Sequence, residues 1–529
     1  MKSLCDTPIR YCRIQGERRM RNALSSENLT LKVDDFGPII EAEIDLRPLT
    51  VFAGPSNTGK SWLAILIYAL HRHFEGLCDT GTGFFIEKLT KGYLSEKEIS
   101  SIIDWANYEI LSKKKISAKR AEQRIDLPDF IMRNIHKYID ESHENIIHQI
   151  CRALGVDNRK DLLRNATRCD QASISIIKTF RDRGSLHQCS ILRGDEFTKE
   201  TIEFPDTSSI DINALKSTLG IDRMIVNRDP DDFDVLWKCS ELLSTIASQY
   251  IFPWFEPLNE SAYYFPADRA GVMHTHRTIV SAIVGNAASA GLRPTTVSTT
   301  QLSGVMADFL QSLINIDSNL HRNKASCIRH TMENHSIEIE KNIVGGKIGI
   351  QRSALIDYPE FTYQPKGWKT PISLNNASSM VSEIAPIVLF LRNKVMQGNT
   401  LIIEEPEAHL HPKMQVEFTQ QLAALVQSGV RVILTTHSDW VLQTLANIVR
   451  ASGLDDEERS HISTAKVALN PDQVGVWLFK SKKSPKGSVV DEMVLDRESG
   501  LYELDYDVVS ESLYLDNALI SNGIHRSSV

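Results

Sequence analysis

The stretch Gly54-Pro55-Ser56-Asn57-Thr58-Gly59-Lys60-Ser61 constrains this chain more than any other part of it. It fits G-x-x-x-x-G-K-[ST] and stands between two apolar segments of different length. The residues before it, LTVFA (49–53), form a short apolar run of the kind that predicts a buried parallel strand. After it, Trp62 to Leu70 are uninterrupted apolar residues, and the segment runs on to Phe74 without Gly or Pro, which predicts a helix packed against a sheet. In that order the glycines let the backbone N–H groups and the helix N-terminus face an anion that a Cβ would obstruct. Lys60 is then placed to reach the β- and γ-phosphates of a nucleotide, and the Ser61 hydroxyl to ligate Mg²⁺. The plain alternative is a glycine-rich turn that arose by chance.

Three further features extend the pattern. The apolar run Leu401-Ile402-Ile403 delivers two adjacent carboxylates, Glu404 and Glu405, at its C-terminal end, where ligands gather in open parallel sheets. Successive strand residues face opposite ways, so Glu404 is placed for Mg²⁺, directly or through water, and Glu405 for polarising an attacking water. The next apolar run, VILTT, places His437 just past its tip, within reach of a γ-phosphate. Upstream of the acids, LNNASSMVSE (374–383) opens a helix with small polar residues, and Ser378 or Ser379 either caps that helix or serves a ligand.

Along the chain, residues 1–28 are a basic arm without periodicity and 29–76 are the first lobe of an α/β unit. Residues 77–255 form a charged, mainly helical insertion with short β-like stretches such as SISIIKTF. Residues 256–450 return to strand–helix alternation, which signals a parallel sheet, and 451–529 are a β-rich extension with a hairpin about KSKKSPKG. The cluster Lys113, Lys114, Lys115, Lys119, Arg120 and Arg124 reads as a solvated helix face or as a contact with nucleic acid or a partner. The formal charge of −8 opposes a whole-surface grip on polyanions. The longest apolar run, nine residues, falls short of the ~20 that cross a bilayer. Eight cysteines without a CxxC pair, and no apolar leader, predict a soluble protein of the reducing cytoplasm, with no membrane contact.

The order of phosphate loop, long insert, serine-led helix, paired acids and histidine resembles the ATP-binding-cassette (ABC) branch of P-loop ATPases. The segments FGPIIEAEIDLRPLTVFAGPSNTGKS, YYFPADRAG, LNNASSMVSEIAPI, LIIEEPEAHLHP and TTHSDWVL look like the OLD and RecF-like ATPases of the AAA-15 type, over about Leu29 to Phe74 and Tyr263 to Leu445. The resemblance implies an α/β P-loop ABC-type head with a largely helical insertion, ATP and Mg²⁺ as ligands, and a homodimer or an assembly of dimers. On it, Gly54 to Ser61 are the Walker A loop, Ser378 and Ser379 signature serines acting on the other copy, Glu404 the Walker B acid, Glu405 the catalytic glutamate and His437 the switch histidine. His411 falls at the D-loop aspartate position, and Arg269 is either nucleotide-proximal or ordinary sheet-edge structure. Glu404 stands where an aspartate is usual, which points to indirect metal contact, and the signature lacks the paired glycines of transporters. The residues after His437 leave no room for the Toprim nuclease that follows the ATPase in OLD proteins. A stand-alone ATPase of this type is similar to the PtuA family of Septu-type and retron-associated anti-phage systems. That similarity implies a regulatory subunit holding a separate HNH-type nuclease and, in a retron, also a reverse transcriptase with its RNA–DNA product. The alternative is a RecF/Rad50-like DNA-repair clamp, which the absence of a sustained heptad repeat opposes; a nuclease in its own right would need a metal cluster that the sequence does not display.

Overall fold

A computed structural model describes residues 28–90, 95–105, 124–164, 170–180, 184–203, 209–211, 233–247, 252–289, 302–316, 326–352, 359–463, 466–496 and 500–501. The basic arm up to residue 27, most of the lysine-rich cluster and the last 28 residues lie outside these.

The strands are β1 (Leu29–Phe36), β2 (Ile39–Leu46), β3 (Leu49–Ala53), β4 (Arg124–Asp126), β5 (Gln171–Phe180), β6 (Gly184–Arg193), β7 (Glu196–Glu203), β8 (Ser209–Asp211), β9 (Ala262–Phe265), β10 (Gly346–Arg352), β11 (Pro359–Pro365), β12 (Ile372–Ser373), β13 (Thr400–Glu404), β14 (Arg431–Thr436), β15 (Val474–Lys483) and β16 (Lys486–Met493). The helices used below are α1 (Lys60–Thr90), α2 (Glu96–Trp105), α3 (Asp129–Ser142), α4 (Glu144–Leu154), α5 (Phe233–Ile246), α6 (Arg269–Ser289), α7 (Gly304–Ile314), α8 (Ser326–Ile339), α9 (Ser379–Asn393), α10 (Pro412–Gln427) and α11 (Asp439–Arg450).

Eleven strands form one sheet in the order β7-β6-β5-β1-β2-β16-β15-β3-β14-β13-β9. From β15 to β9 every pairing is parallel, and from β7 to β2 every pairing is antiparallel. The parallel strands are apolar on both faces because helices cover both. Period-two alternation sorts their side chains. Phe52, Ile402, Ile433, Trp477 and Phe479 join the core under α1, α3, α4 and α5. Leu49, Val51, Leu401, Ile403, Val432, Leu434, Val474 and Val476 join the core under α8 to α11. This is an α/β fold with helices on both faces of a parallel core and a mainly helical insertion.

Two segments differ from the sequence expectation in placement. The insertion, though mainly helical, adds β5, β6 and β7 to the main sheet through the β1–β5 pairing, with Thr30 opposite Ile177 and Lys32 opposite Ser175. Those strands alternate apolar and polar residues, so they read as isolated β stretches until a partner edge is known. The C-terminal hairpin is no appendage: β15 pairs in parallel with β3, and β16 with β2, so the hairpin closes the middle of the sheet. Arg47 fixes that closure by donating to Val474 O and pairing with Glu492 at 2.7 Å. The small β-rich element expected near 347–371 is a three-stranded antiparallel sheet, β10-β11-β12, that leads into the start of α9.

Candidate nucleotide site

The register of the parallel strands assembles the site. Ala53 is level with Thr436, and Glu404 with Thr435. The chain therefore leaves β3, β13 and β14 on one edge of the sheet, carrying there the phosphate loop, the paired acids and His437.

The loop needs its terminal glycines. Gly54 has φ +132° and a Cβ there would come within 2.6 Å of Phe479 O, while Gly59 has φ +95° and a Cβ would meet Pro38 Cγ at 2.8 Å. Inside the loop Thr58 Oγ1 donates to Pro55 O at 2.8 Å, and Lys60 Nζ curls back to donate to Gly54 O at 2.9 Å and Pro55 O at 2.7 Å. Burial lowers the Lys60 ammonium to about 8, opposed by the neighbouring carboxylates of Glu405, Glu407 and Glu404. Pro55, Ser56, Asn57 and Ser61 are exposed, so the loop presents backbone and hydroxyl groups to solvent.

A cleft of about 620 Å³ joins this loop to Glu405 and His437. His437 Nε2 lies 3.0 Å from Glu405 Oε1, and that hydrogen bond, against the effect of burial, holds the Glu405 carboxyl below the ordinary carboxylate range. Glu405 sits at φ +41°, a left-handed conformation rare for a residue with a side chain. Its N–H is anchored on Thr435 O at 3.0 Å and Thr435 Oγ1 at 3.2 Å. Glu404 is buried, with Oε2 accepting from Ala267 N at 3.0 Å and Oε1 without a hydrogen-bond partner. Among the described residues no group of three or more His, Cys, Asp or Glu is placed to hold a metal ion by itself. Glu404 itself does not line the cleft, so Mg²⁺ there would be held chiefly by phosphates, water and the exposed Ser61 hydroxyl.

The other expected residues fall elsewhere. Ser378 is the N-cap of α9, its hydroxyl accepting from Val381 N at 3.4 Å; Ser378 and Ser379 are exposed and do not line this chain's cleft. His411 caps α10, accepting from Lys413 N at 3.3 Å, and is exposed. Of the two readings of Arg269, the structural one holds: the side chain is fully buried and absent from the cleft, held among backbone carbonyls and Glu383.

The structure adds residues that the sequence did not single out. Glu407 Oε1 accepts from Thr436 Oγ1 and from His437 N, both at 2.7 Å, and so fixes the turn that carries the histidine. Its spacing in EEPE was the available signal. Trp62 packs on Gly37, where a Cβ would come 2.3 Å from the ring, and both line the cleft. Asp161 and Leu163 of the insertion reach the same rim because Leu162 O accepts from Gly37 N at 2.7 Å and Arg164 pairs with Asp35 at 2.6 Å. No local pattern announces those contacts, which join positions over 120 residues apart.

A phosphate loop in strand–loop–helix context, with an acidic pair and a histidine on neighbouring parallel strands, is an arrangement suited to holding a nucleotide's phosphates. In agreement, the family model described as AAA ATPase domain matches residues 279–442, which include α9, the acidic pair and His437. Comparison with curated proteins gives no match. Among solved structures, the chain is similar to an SMC head bound to the C-winged helix domain of ScpA (11% identity, 89% of this chain and 98% of that one, TM-score 0.38). It is also similar to the SMC head domain from Thermotoga maritima (10%, 88% and 98%, TM-score 0.31) and to an Smc head with an extended coiled coil, bound to the C-terminal domain of ScpA, from Pyrococcus furiosus (12%, 89% and 96%, TM-score 0.36).

Proposed function

We propose that the chain is an ATP-binding and hydrolysing regulatory subunit that dimerises around nucleotide. The observation that carries this reading is the single cleft in which the phosphate loop faces the hydrogen-bonded Glu405–His437 pair. The nucleotide's phosphates lie along the N–H groups of residues 54–61, and Lys60 exchanges its two carbonyl acceptors for phosphate oxygens. Glu405, kept ionised by His437, accepts the proton of a water that attacks the γ-phosphorus in line. The bond from that phosphorus to the β–γ bridging oxygen breaks, ADP leaves, inorganic phosphate forms, and His437 faces the charge that develops on the γ-phosphoryl oxygens. Ser61 and, directly or through water, Glu404 would hold Mg²⁺ with the nucleotide, where the ion would neutralise further phosphate charge.

Ser378 and Ser379 complete the site of a second copy: they head a helix N-terminus, are exposed, and stand outside their own chain's cleft. Binding energy of ATP then stabilises the dimer, and hydrolysis loosens it. The motif wording shared with PtuA-type ATPases supports a finer role, control of a separate HNH-type nuclease in anti-phage defence, with a reverse transcriptase and its RNA–DNA product as further partners in a retron.

The experiment is nucleotide binding and turnover by two variants. Lys60→Ala is expected to lose ATP binding, and Glu405→Gln to bind ATP and accumulate as a closed dimer; a Glu405→Gln protein that hydrolyses at the parent rate would remove Glu405 from the mechanism. For the finer role, co-purification of a small HNH protein supports nuclease control, whereas ATPase stimulation that grows with DNA length would mark a RecF/Rad50-like clamp instead.

A further inference from the structure

Arg269, the first residue of α6, is a fully buried cation whose contacts come from three separate elements. Its Nη1 donates to Pro266 O at 3.1 Å, in the turn after β9, and to Glu404 O at 2.6 Å, at the end of β13. Its Nη2 donates to Glu405 O at 3.2 Å. On the α9 side, Nε donates to Glu383 O at 3.1 Å and Nη2 pairs with Glu383 Oε1 at 2.9 Å, with both side chains buried. Glu383 lies just over one turn into the helix that Ser378 caps. Burying an ion pair costs enough desolvation that apolar residues of like volume serve packing as well or better. What the pair supplies is geometry: the planar guanidinium meets five acceptors at once, Pro266 O, Glu404 O, Glu405 O, Glu383 O and Glu383 Oε1, whereas lysine has three donors on a single nitrogen. The turn it holds is the left-handed one at Glu405, a conformation that persists only where its surroundings impose it.

We propose that Arg269 is a positioning residue, tied through Glu383 to α9, that makes the aim of the Glu405 carboxylate depend on how the serine-led helix is seated. This rests on the ATPase reading above. When Ser378 and Ser379 meet nucleotide held by a second copy, α9 is fixed as a rigid body, Glu383 with it, and the Arg269 fork transmits that position to the carbonyls of Glu404 and Glu405. Engagement of one copy's serines is thereby reported to that copy's own acidic turn, and the two sites of a dimer become coupled.

The test is steady-state ATPase kinetics with fluorescent-ATP binding and melting temperature on three variants. The double variant Arg269→Met/Glu383→Met removes both charges and keeps volume; it is expected to fold and to bind nucleotide within about twofold of the parent, with kcat reduced about tenfold or more. Arg269→Lys keeps the charge without the fork and is expected not to restore kcat. Glu383→Gln preserves shape and is expected to lower kcat several-fold at unchanged KM; if the methionine pair fails to fold, this variant decides. A parent-like kcat in the folded methionine pair, in Arg269→Lys or in Glu383→Gln overturns the link alone. A parent chain that turns over no ATP overturns the ATPase reading and the link with it.

Discussion

Gly54 and Glu405 show the same physics from opposite sides. At Gly54 the backbone approaches Phe479 so closely that a side chain has no place, and φ +132° would strain any L-residue. At Glu405 a side chain is present in a left-handed conformation, and Thr435 and Arg269 hold it there. The first is legible in the sequence, because a glycine at a fixed offset from Gly-Lys-Ser states its own reason. The second is not, because nothing about the letter at position 405 reveals a backbone angle. Gly54→Ala is therefore expected to displace the loop against β15 and lower ATP affinity by tenfold or more, an effect of about 1.4 kcal/mol or above, measured by titration with a fluorescent ATP analogue. Parent-like affinity would show that the loop has room the geometry denies.

At the scale of elements, strand and helix identities followed from periodicity, and the β3–α1 and β13–β14 units lie where the alternation placed them. Pairing partners were not legible: VGVWLF announces a strand, but only the folded sheet shows that β15 lies beside β3 rather than on an edge. Phe479, fully buried and edge-on to Phe52 with ring centroids 5.6 Å apart, sits at that junction. Its truncation in Phe479→Ala is expected to cost about 3–5 kcal/mol, read by urea unfolding; a loss under about 1 kcal/mol, as for surface sites, would place the hairpin outside the core. Helix α1 carries a second test. Burial pushes the imidazoles of His71 and His73 down to about 4 and about 3. Both stay neutral in the folded chain below pH 6.5 while the unfolded chain takes up protons, so stability is full above about pH 6.5 and falls as pH drops toward 4. Each contributes a slope of about 1.4 kcal/mol per pH unit. His71→Gln is expected to flatten the pH 6.5–4.5 dependence of unfolding free energy by that amount; an unchanged slope would show that His71 is protonated in the fold.

For the whole molecule, the insertion is built into the head: its strands widen the sheet and its Asp161–Leu163 turn rims the cleft. No helix among the described residues is long and apolar enough to cross a membrane. Half of the proposed site was legible as motifs, namely the loop, the acids and the histidine, because their chemistry fixes both residue type and strand-end position. The remainder, from Glu407 to the Arg269 fork, depends on contacts between distant segments. On the proposal that the nucleotide is shared, a second copy completes the site: Ser378, the cap of α9, and Ser379, its first residue, are exposed and do not line their own chain's cleft. That arrangement has a direct consequence for mixtures of inactive variants. Lys60→Ala lacks a working loop but keeps its serines, and a Ser378→Arg/Ser379→Arg chain keeps its loop but not its serines. Neither is expected to hydrolyse ATP alone. Mixed in equal amounts, half of the two-fold dimers pair one of each and hold one complete site, so the mixture is expected to recover activity that neither variant has alone, at most roughly a quarter of the parent rate and less in so far as the chain supplying Glu405 lacks engaged serines of its own. No recovery on mixing, or full activity of the serine variant by itself, would contradict a nucleotide shared between two copies.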